Sequence, residues 1–219
     1  MKVELRETND GSHTLFIPEI NENYHSHHGA IQEARHVFIN HGLNPLLKKN
    51  YPINILEVGW GTGLNCLLSC LFSENNSIRY TGIEAFPIEK SLHEALNYVI
   101  HLENSSEKYE RLIMASWNKE TKITNDFTLK KIHTKIQEWE TEDKFDLVYY
   151  DAFGPRAQEE MWRRETLEKV IFMLKKNGIF VTYCAKGQLK RDLKELGCLV
   201  ETLPGPPGKR EMTRAVKKK

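Results

Sequence analysis

No stretch of this 219-residue chain approaches the roughly 18 consecutive apolar residues of a membrane-spanning helix. The opening segment, Met1 to Glu7, lacks the apolar core of a secretory signal. Both absences predict a cytoplasmic protein. Cysteine is scarce, and none of Cys66, Cys70, Cys184 and Cys198 forms a CxxC pair, so reduced, buried thiols are expected rather than disulfides or a zinc site. Neither charge sign dominates: the net charge of +1 gives no overall pull toward nucleic acid. Internal repeats and low-complexity tracts are absent too, so the 40% hydrophobic content belongs to one sizeable core.

The charge is nevertheless unevenly placed. Residues 186–219 carry ten Lys/Arg against four Asp/Glu, while the rest of the chain is net acidic. A basic C-terminal segment on an acidic body suggests a surface that faces phosphate, although Lys217-Lys218-Lys219 alone reads as a solvated tail.

Periodicity places a hairpin first, Val3 to Glu7 and His13 to Ile17 around the tight-turn sequence Asn9-Asp10-Gly11. A helix follows from Gly29 to His41. Strands then alternate with helices: strand 54–58, helix 64–72, strand 78–83, helix 88–99, helix 107–115, strands 127–133 and 145–150, helix 159–174, strand 179–184, helix 187–196, and short strands at 199–202 and 213–216. That order predicts an α/β fold, a mostly parallel twisted sheet with helices on both faces. Residues 1–45 read as a hairpin-and-helix extension that contributes to the pocket, and 46–219 as the main domain.

Ligands of such sheets lie at the carboxyl ends of the strands. There the strand Ile55 to Val58 runs into Gly59-Trp60-Gly61-Thr62-Gly63, with alternate glycines that let a ligand approach the backbone at a helix start. The next strand ends at Glu84, 21 residues after Gly63, where a carboxylate can accept both ribose hydroxyls. The dinucleotide fingerprint would need glycine at position 64, which is Leu64. With Glu57 on the strand, the order Glu-x-Gly-x-Gly-x-Gly is instead the arrangement of enzymes that use S-adenosylmethionine (SAM). A third strand end, Asp151-Ala152-Phe153-Gly154-Pro155, offers a carboxylate that could orient an amine and accept its proton. As a plain cap for the next helix, Asp151 would need no ligand. His25-Ser26-His27-His28 has no partner at metal-ligand spacing, so no metal is expected.

Four separated motifs resemble the methyltransferase domain of the bacterial tRNA 5-methylaminomethyl-2-thiouridine biosynthesis enzymes (MnmC-like). They are Tyr24-x-Ser26-x-x-Gly29-Ala30-x-x-Glu33-x-x-His36-Val37-Phe38, Glu57 through Asn65, Asp151 through Pro155 with Met161-Trp162, and Gly205 through Met212. The resemblance implies a class I Rossmann-like SAM-dependent methyltransferase. Its reaction would methylate the exocyclic amine of 5-aminomethyl-(2-thio)uridine at the wobble position of a tRNA anticodon stem-loop. It places Glu57, Gly59, Gly61 and Gly63 around the methionine part of SAM, Glu84 on the ribose and Asp151 beside the amine as the catalytic group. Tyr24, Ser26 and Glu33 would complete the pocket. Lys209 and Arg210 would approach nucleotide or phosphate, and Phe153, Pro155 and Trp162 would contact substrate. Trp162 reads equally as core or as a stacking platform.

Two departures from the family pattern stand out. His133 occupies the region where relatives place an aspartate on the adenine, and it is expected to flank that ring. The chain ends after the methyltransferase part, without an FAD-dependent domain, so a separate oxidase or aminomethyl-forming enzyme is the expected partner. The residues alone leave open a SAM enzyme for a small-molecule or protein amine, and a non-catalytic nucleotide-binding module.

Overall fold

The computed structural model describes residues 2–47, 52–73 and 76–218; Met1 and Lys219, at the two ends read above, lie outside them. Strands β1 (Glu4–Glu7) and β2 (His13–Ile17) pair antiparallel, and β3 (Glu22–Asn23) joins the far side of β2. A long helical stretch follows: α1 (Ala30–Ala34), a wider π-helical segment (Arg35–Leu43) and α2 (Asn44–Leu47). The hairpin turn closes the start of this stretch, because Asp10 Oδ2 accepts the Gln32 N–H at 3.0 Å and the Thr8 hydroxyl accepts that of Ala30 at 3.3 Å. Two side chains of the hairpin turn thus satisfy amides that a helix start leaves unpaired.

The remaining elements are β4 (Ile53–Val58), α3 (Leu64–Leu71), β5 (Ile78–Glu84), α4 (Lys90–Ala95), α5 (Tyr98–His101), α6 (Ser106–Met114), β6 (Glu120–Lys122), β7 (Phe127–His133), β8 (Phe145–Tyr150), α7 (Arg164–Met173), β9 (Leu174–Thr182), α8 (Gly187–Glu195), β10 (Cys198–Pro204) and β11 (Glu211–Lys217). A 3-10 turn, Glu159–Trp162, precedes α7. Strands β6 to β11 and the two before them form one eight-stranded sheet in the order β10-β11-β9-β8-β4-β5-β7-β6. Pairings from β9 through β7 are parallel, and β6, β10 and β11 pair antiparallel at the edges.

Alternation along the central strands divides the core in two. Ile53, Ile55, Leu147 and Tyr149 face the layer with α3 and the π-helical segment, whereas Leu56, Val58, Val148 and Tyr150 face the layer with α7 and α8. All of β8 is buried, as expected of a central parallel strand covered on both sides. Chain order reverses between β4 and β8, and a crevice opens there at the carboxyl ends of the strands. The fold is a Rossmann-like, doubly wound α/β architecture.

Some boundaries differ from the periodicity. The expected helix 88–99 is two pieces, because Asn97 leaves the helical path to bind the hairpin: its Oδ1 accepts the His13 N–H at 2.7 Å and its amide donates to the Gly11 carbonyl at 2.8 Å. The expected helix 159–174 is split by extended Arg163 into the 3-10 turn and α7. Lys217 is no solvated tail, since its ammonium donates to the carbonyls of Ile171 and Leu174 at 2.9 and 2.8 Å at the end of α7. The four cysteines are free and buried, and among the described residues no helix is long and apolar enough to cross a membrane.

Candidate active site

A cavity of about 600 Å³ occupies the crevice, lined by the ends of β4, β5 and β8, by the 134–138 segment after β7, and by Ile17, Ile20, Tyr24 and His25 of the N-terminal segment. That volume suits a cofactor-sized molecule. The glycine turn forms one wall. Gly59 and Gly61 have φ of +90° and +50°, and a Cβ on Gly59 would stand 2.6 Å from the Asp151 carbonyl oxygen. Trp60 contributes to the lining but is buried in the core, and its indole lies so close to Gly82 that a Cβ there would stand 2.2 Å from the ring. The Gly59 and Trp60 amides donate to the Ile83 carbonyl at 3.0 Å, which ties the turn to the end of β5.

Glu84 caps that end. Its Oε2 accepts the Gly61 N–H and its Oε1 the Phe86 N–H, each at 2.9 Å, so the carboxylate is held on the cavity wall by two backbone donors. Opposite, Asp151 follows β8, its amide donating to the Val58 carbonyl at 2.9 Å. Asn65, on the first turn of α3, donates one side-chain hydrogen to Asp151 Oδ2 at 2.8 Å and the other to Glu57 Oε1 at 2.9 Å. Burial, reinforced by the nearby Glu33 charge, raises the Asp151 carboxyl to about 7. Glu57 is fully buried, and desolvation lifts its carboxyl well above the ordinary value.

The sequence-derived site residues divide accordingly. Gly59, Gly61, Glu84, Tyr24, Asp151 and Phe153 meet at the cavity, with the Tyr24 and Phe153 rings edge to face at 5.0 Å. Gly63 lies behind the wall, at φ +76°, against the Trp60 ring. Glu57 does not line the cavity; strand alternation turns it toward α3, and it reaches Asp151 only through Asn65. His133 is exposed and turned toward Trp117, ring centroids 5.8 Å apart, while Thr134 to Glu138 form the cavity wall where it was expected. Trp162 is buried and its indole N–H donates to the Phe153 carbonyl at 2.8 Å, which makes it a support for the 151–155 turn rather than an open stacking face. Pro155 lies outside the cavity lining. Ser26 and Glu33 sit behind the lining as well: Glu33 Oε2 accepts the Ser26 N–H at 2.7 Å, and Ser26 Oγ accepts that of His28 at 3.2 Å. Lys209, expected to face phosphate, instead pairs with Glu33 at 2.5 Å, whereas the Arg210 side chain is 95% exposed.

Sequence reasoning assigned no role to Asn65, Tyr183, Gln158 or His25. Gln158 Oε1 accepts the Phe153 N–H at 2.9 Å. The Tyr183 hydroxyl donates to the Ala152 carbonyl at 2.7 Å. His25 places its ring nitrogens 3.2 and 3.4 Å from the hydroxyls of Thr14 and Thr62, and burial lowers its pKa to about 4, so it is a neutral hydrogen-bonding strut between hairpin and glycine turn.

Several features fit SAM in particular. The cavity joins a clamped carboxylate able to receive ribose hydroxyls to a second carboxylate and an amide at its far end. Asn65, which lines the cavity, has its Oδ1 buried without a hydrogen-bond partner, an unused acceptor for an amino-acid head group.

A family model described as S-adenosyl-L-methionine-dependent methyltransferase matches residues 97–218. The chain is 27% identical over 211 residues to the tRNA 5-methylaminomethyl-2-thiouridine biosynthesis bifunctional protein MnmC of Hydrogenovibrio crunogenus, covering 86% of this chain and 30% of that protein. It thus spans about 30% of the length of the curated relatives it matches. Among solved structures, MNMC2 from Aquifex aeolicus superposes with a TM-score of 0.83 at 25% identity, covering all of this chain and 70% of that one. Human methyltransferase-like protein 13, in complex with SAH, superposes with a TM-score of 0.51 at 14% identity over 86% of this chain and 82% of its own, a likeness of fold.

Proposed function

Because the chain belongs to the S-adenosyl-L-methionine-dependent methyltransferase family, we propose that it methylates the exocyclic amine of 5-aminomethyl-(2-thio)uridine at the wobble position of tRNA, in the cytoplasm. The observation that carries this reading is Asp151, a carboxyl raised to about 7 at the end of the cavity and held by Asn65. Likeness to MnmC proteins across 86% of the chain supports the substrate class.

In this reading Glu84 receives the ribose hydroxyls, the backbone of Gly59 to Gly61 and Asn65 bound the methionine end, and Thr134 to Glu138 wall the adenine. When bound, SAM supplies a methyl group on a sulfonium. Tyr24 and Phe153 close the cavity beside Asp151. An ammonium has no lone pair, so the acceptor must lose a proton before it can attack. Asp151 is suited to take it: Asn65 occupies Oδ2, and Oδ1 receives no donor among the described residues. A carboxyl near 7 is basic enough to accept a proton yet does not hold the amine as a permanent ion pair.

The aminomethyl group must come from another catalytic centre, since methyl transfer only extends a nitrogen already in place. Mass spectrometry of wobble nucleosides from cells with and without the chain tests the assignment. Accumulation of unmethylated 5-aminomethyl-uridine in its absence is expected; unchanged nucleosides would refute it.

A further inference from the structure

Behind the cavity lining, close enough to act electrostatically on Asp151, a primary ammonium is already seated. The Lys209 Nζ lies 2.5 Å from Glu33 Oε1 and 3.9 Å from the centroid of the Tyr183 ring. A buried carboxylate with an aromatic face is a recognition set for an alkylammonium. Glu33 is 7% exposed, and its second oxygen is fixed by the Ser26 amide. Tyr183 is fixed through its hydroxyl to the carbonyl of Ala152, the residue after Asp151. The cluster also acts on Asp151 itself, whose carboxyl feels the charges of both Glu33 and Lys209.

We propose that Glu33 and Tyr183 form the subsite that selects the acceptor's primary ammonium, and that Lys209 is a self-ligand which fills it until the acceptor arrives. The inference rests on the reading of Asp151 as the amine-side acid. Chemistry supports the exchange, because a lysine side chain and a 5-aminomethyl-uracil both end in CH2–NH3⁺. Replacement of one by the other keeps the charge of the buried cluster constant, so Glu33 is never left uncompensated. Displacement needs only the side chain to move. Gly208, at φ +80°, is packed so tightly on His28 that a Cβ would stand 1.9 Å from the ring, and a Cβ on Gly205 would stand 2.4 Å from the Lys209 carbonyl oxygen, so the loop backbone is held. The Lys209 side chain is itself 32% exposed, on a flexible four-carbon stem that can swing outward.

The test uses n-propylammonium as probe, with the SAH-bound protein and NMR or calorimetric titration. Lys209→Ala should bind it at least about tenfold more tightly than wild type, because the competing self-ligand is gone. Glu33→Gln placed on top of Lys209→Ala should abolish that gain, and neutral n-propanol should show no preference. Equal binding by wild type and Lys209→Ala, or binding that survives Glu33→Gln, would overturn the subsite. In kinetics with an RNA bearing 5-aminomethyl-uridine, Lys209→Met should lower the acceptor KM. A raised KM with flattened salt dependence would make Lys209 a phosphate contact and overturn the self-ligand role. Wild type that binds SAH yet methylates no such RNA would sink the assigned function alone, since the propylammonium titration uses no RNA.

Discussion

Asp151 places chemistry and stability in opposition. Its folded-state pKa of about 7 exceeds the ordinary 3.8, so the folded protein holds this proton more tightly than the unfolded chain. The carboxyl therefore lowers stability as pH rises from about 4 to about 7, by at most about 4 kcal/mol. Cavity solvent reduces that figure, because Asp151 is only partly buried. Asp151→Asn should raise Tm by several degrees near pH 8 and leave it unchanged near pH 4, as read by calorimetry. It should also cut methyl transfer by about 10²–10⁴ while SAH still binds. A parallel fall in SAH affinity would show a binding rather than a proton-accepting role. Glu84→Ala should act the other way, weakening SAH by about 10–100-fold through lost charge-assisted hydrogen bonds, measurable by titration.

At the scale of elements, the glycine turn depends on a wedge that no motif announces. The Trp60 indole packs tightly on Gly82 of β5 and against Gly63. Gly82→Ala should therefore cost about 1–3 kcal/mol by overpacking and weaken SAH binding together with it. Gly197→Ala is the control: its φ is +84° but nothing lies within 4 Å of a new Cβ, so it should show a stability loss without any change in SAH affinity. A Gly82→Ala protein of wild-type Tm would remove the wedge from the account. The central strands and α3 were legible because apolar alternation and amphipathic spacing are local signals. Strand β6 was not, since Glu120-Thr121-Lys122 carries no apolar pattern and forms only by pairing with β7. Nor could the chain itself show that Asn97 would break a helix to hold the hairpin. That Gly59, Glu84 and Asp151 line one cavity was readable from their places at strand ends. Glu57 lies behind the cavity lining and His133 turns toward Trp117, because strand alternation, not motif membership, decides which way a side chain points. Lys209 and Tyr183 meet Glu33 across long sequence separations, a contact that residue spacing does not encode.

For the whole molecule, the C-terminal excess of basic residues is spent partly on internal pairing. Lys190 pairs with Glu211 at 2.9 Å, Arg214 with Glu201 at 2.6 Å, and Lys217 closes α7. Arg210 stays exposed, so it is the better candidate for an RNA phosphate. Arg210→Ala should weaken tRNA binding and reduce the salt slope by about 1, whereas an unaltered slope would remove it from the interface. Fold, cavity and family agree on the methyl donor, and the acceptor is the claim most exposed to refutation. Its most direct test is mass spectrometry of an anticodon stem-loop carrying 5-aminomethyl-uridine after incubation with the protein and methyl-labelled SAM. One labelled methyl is expected on the wobble amine and none when that base is unmodified uridine. An unlabelled stem-loop under conditions where SAM binds, or equal labelling of a free alkylamine, would contradict it.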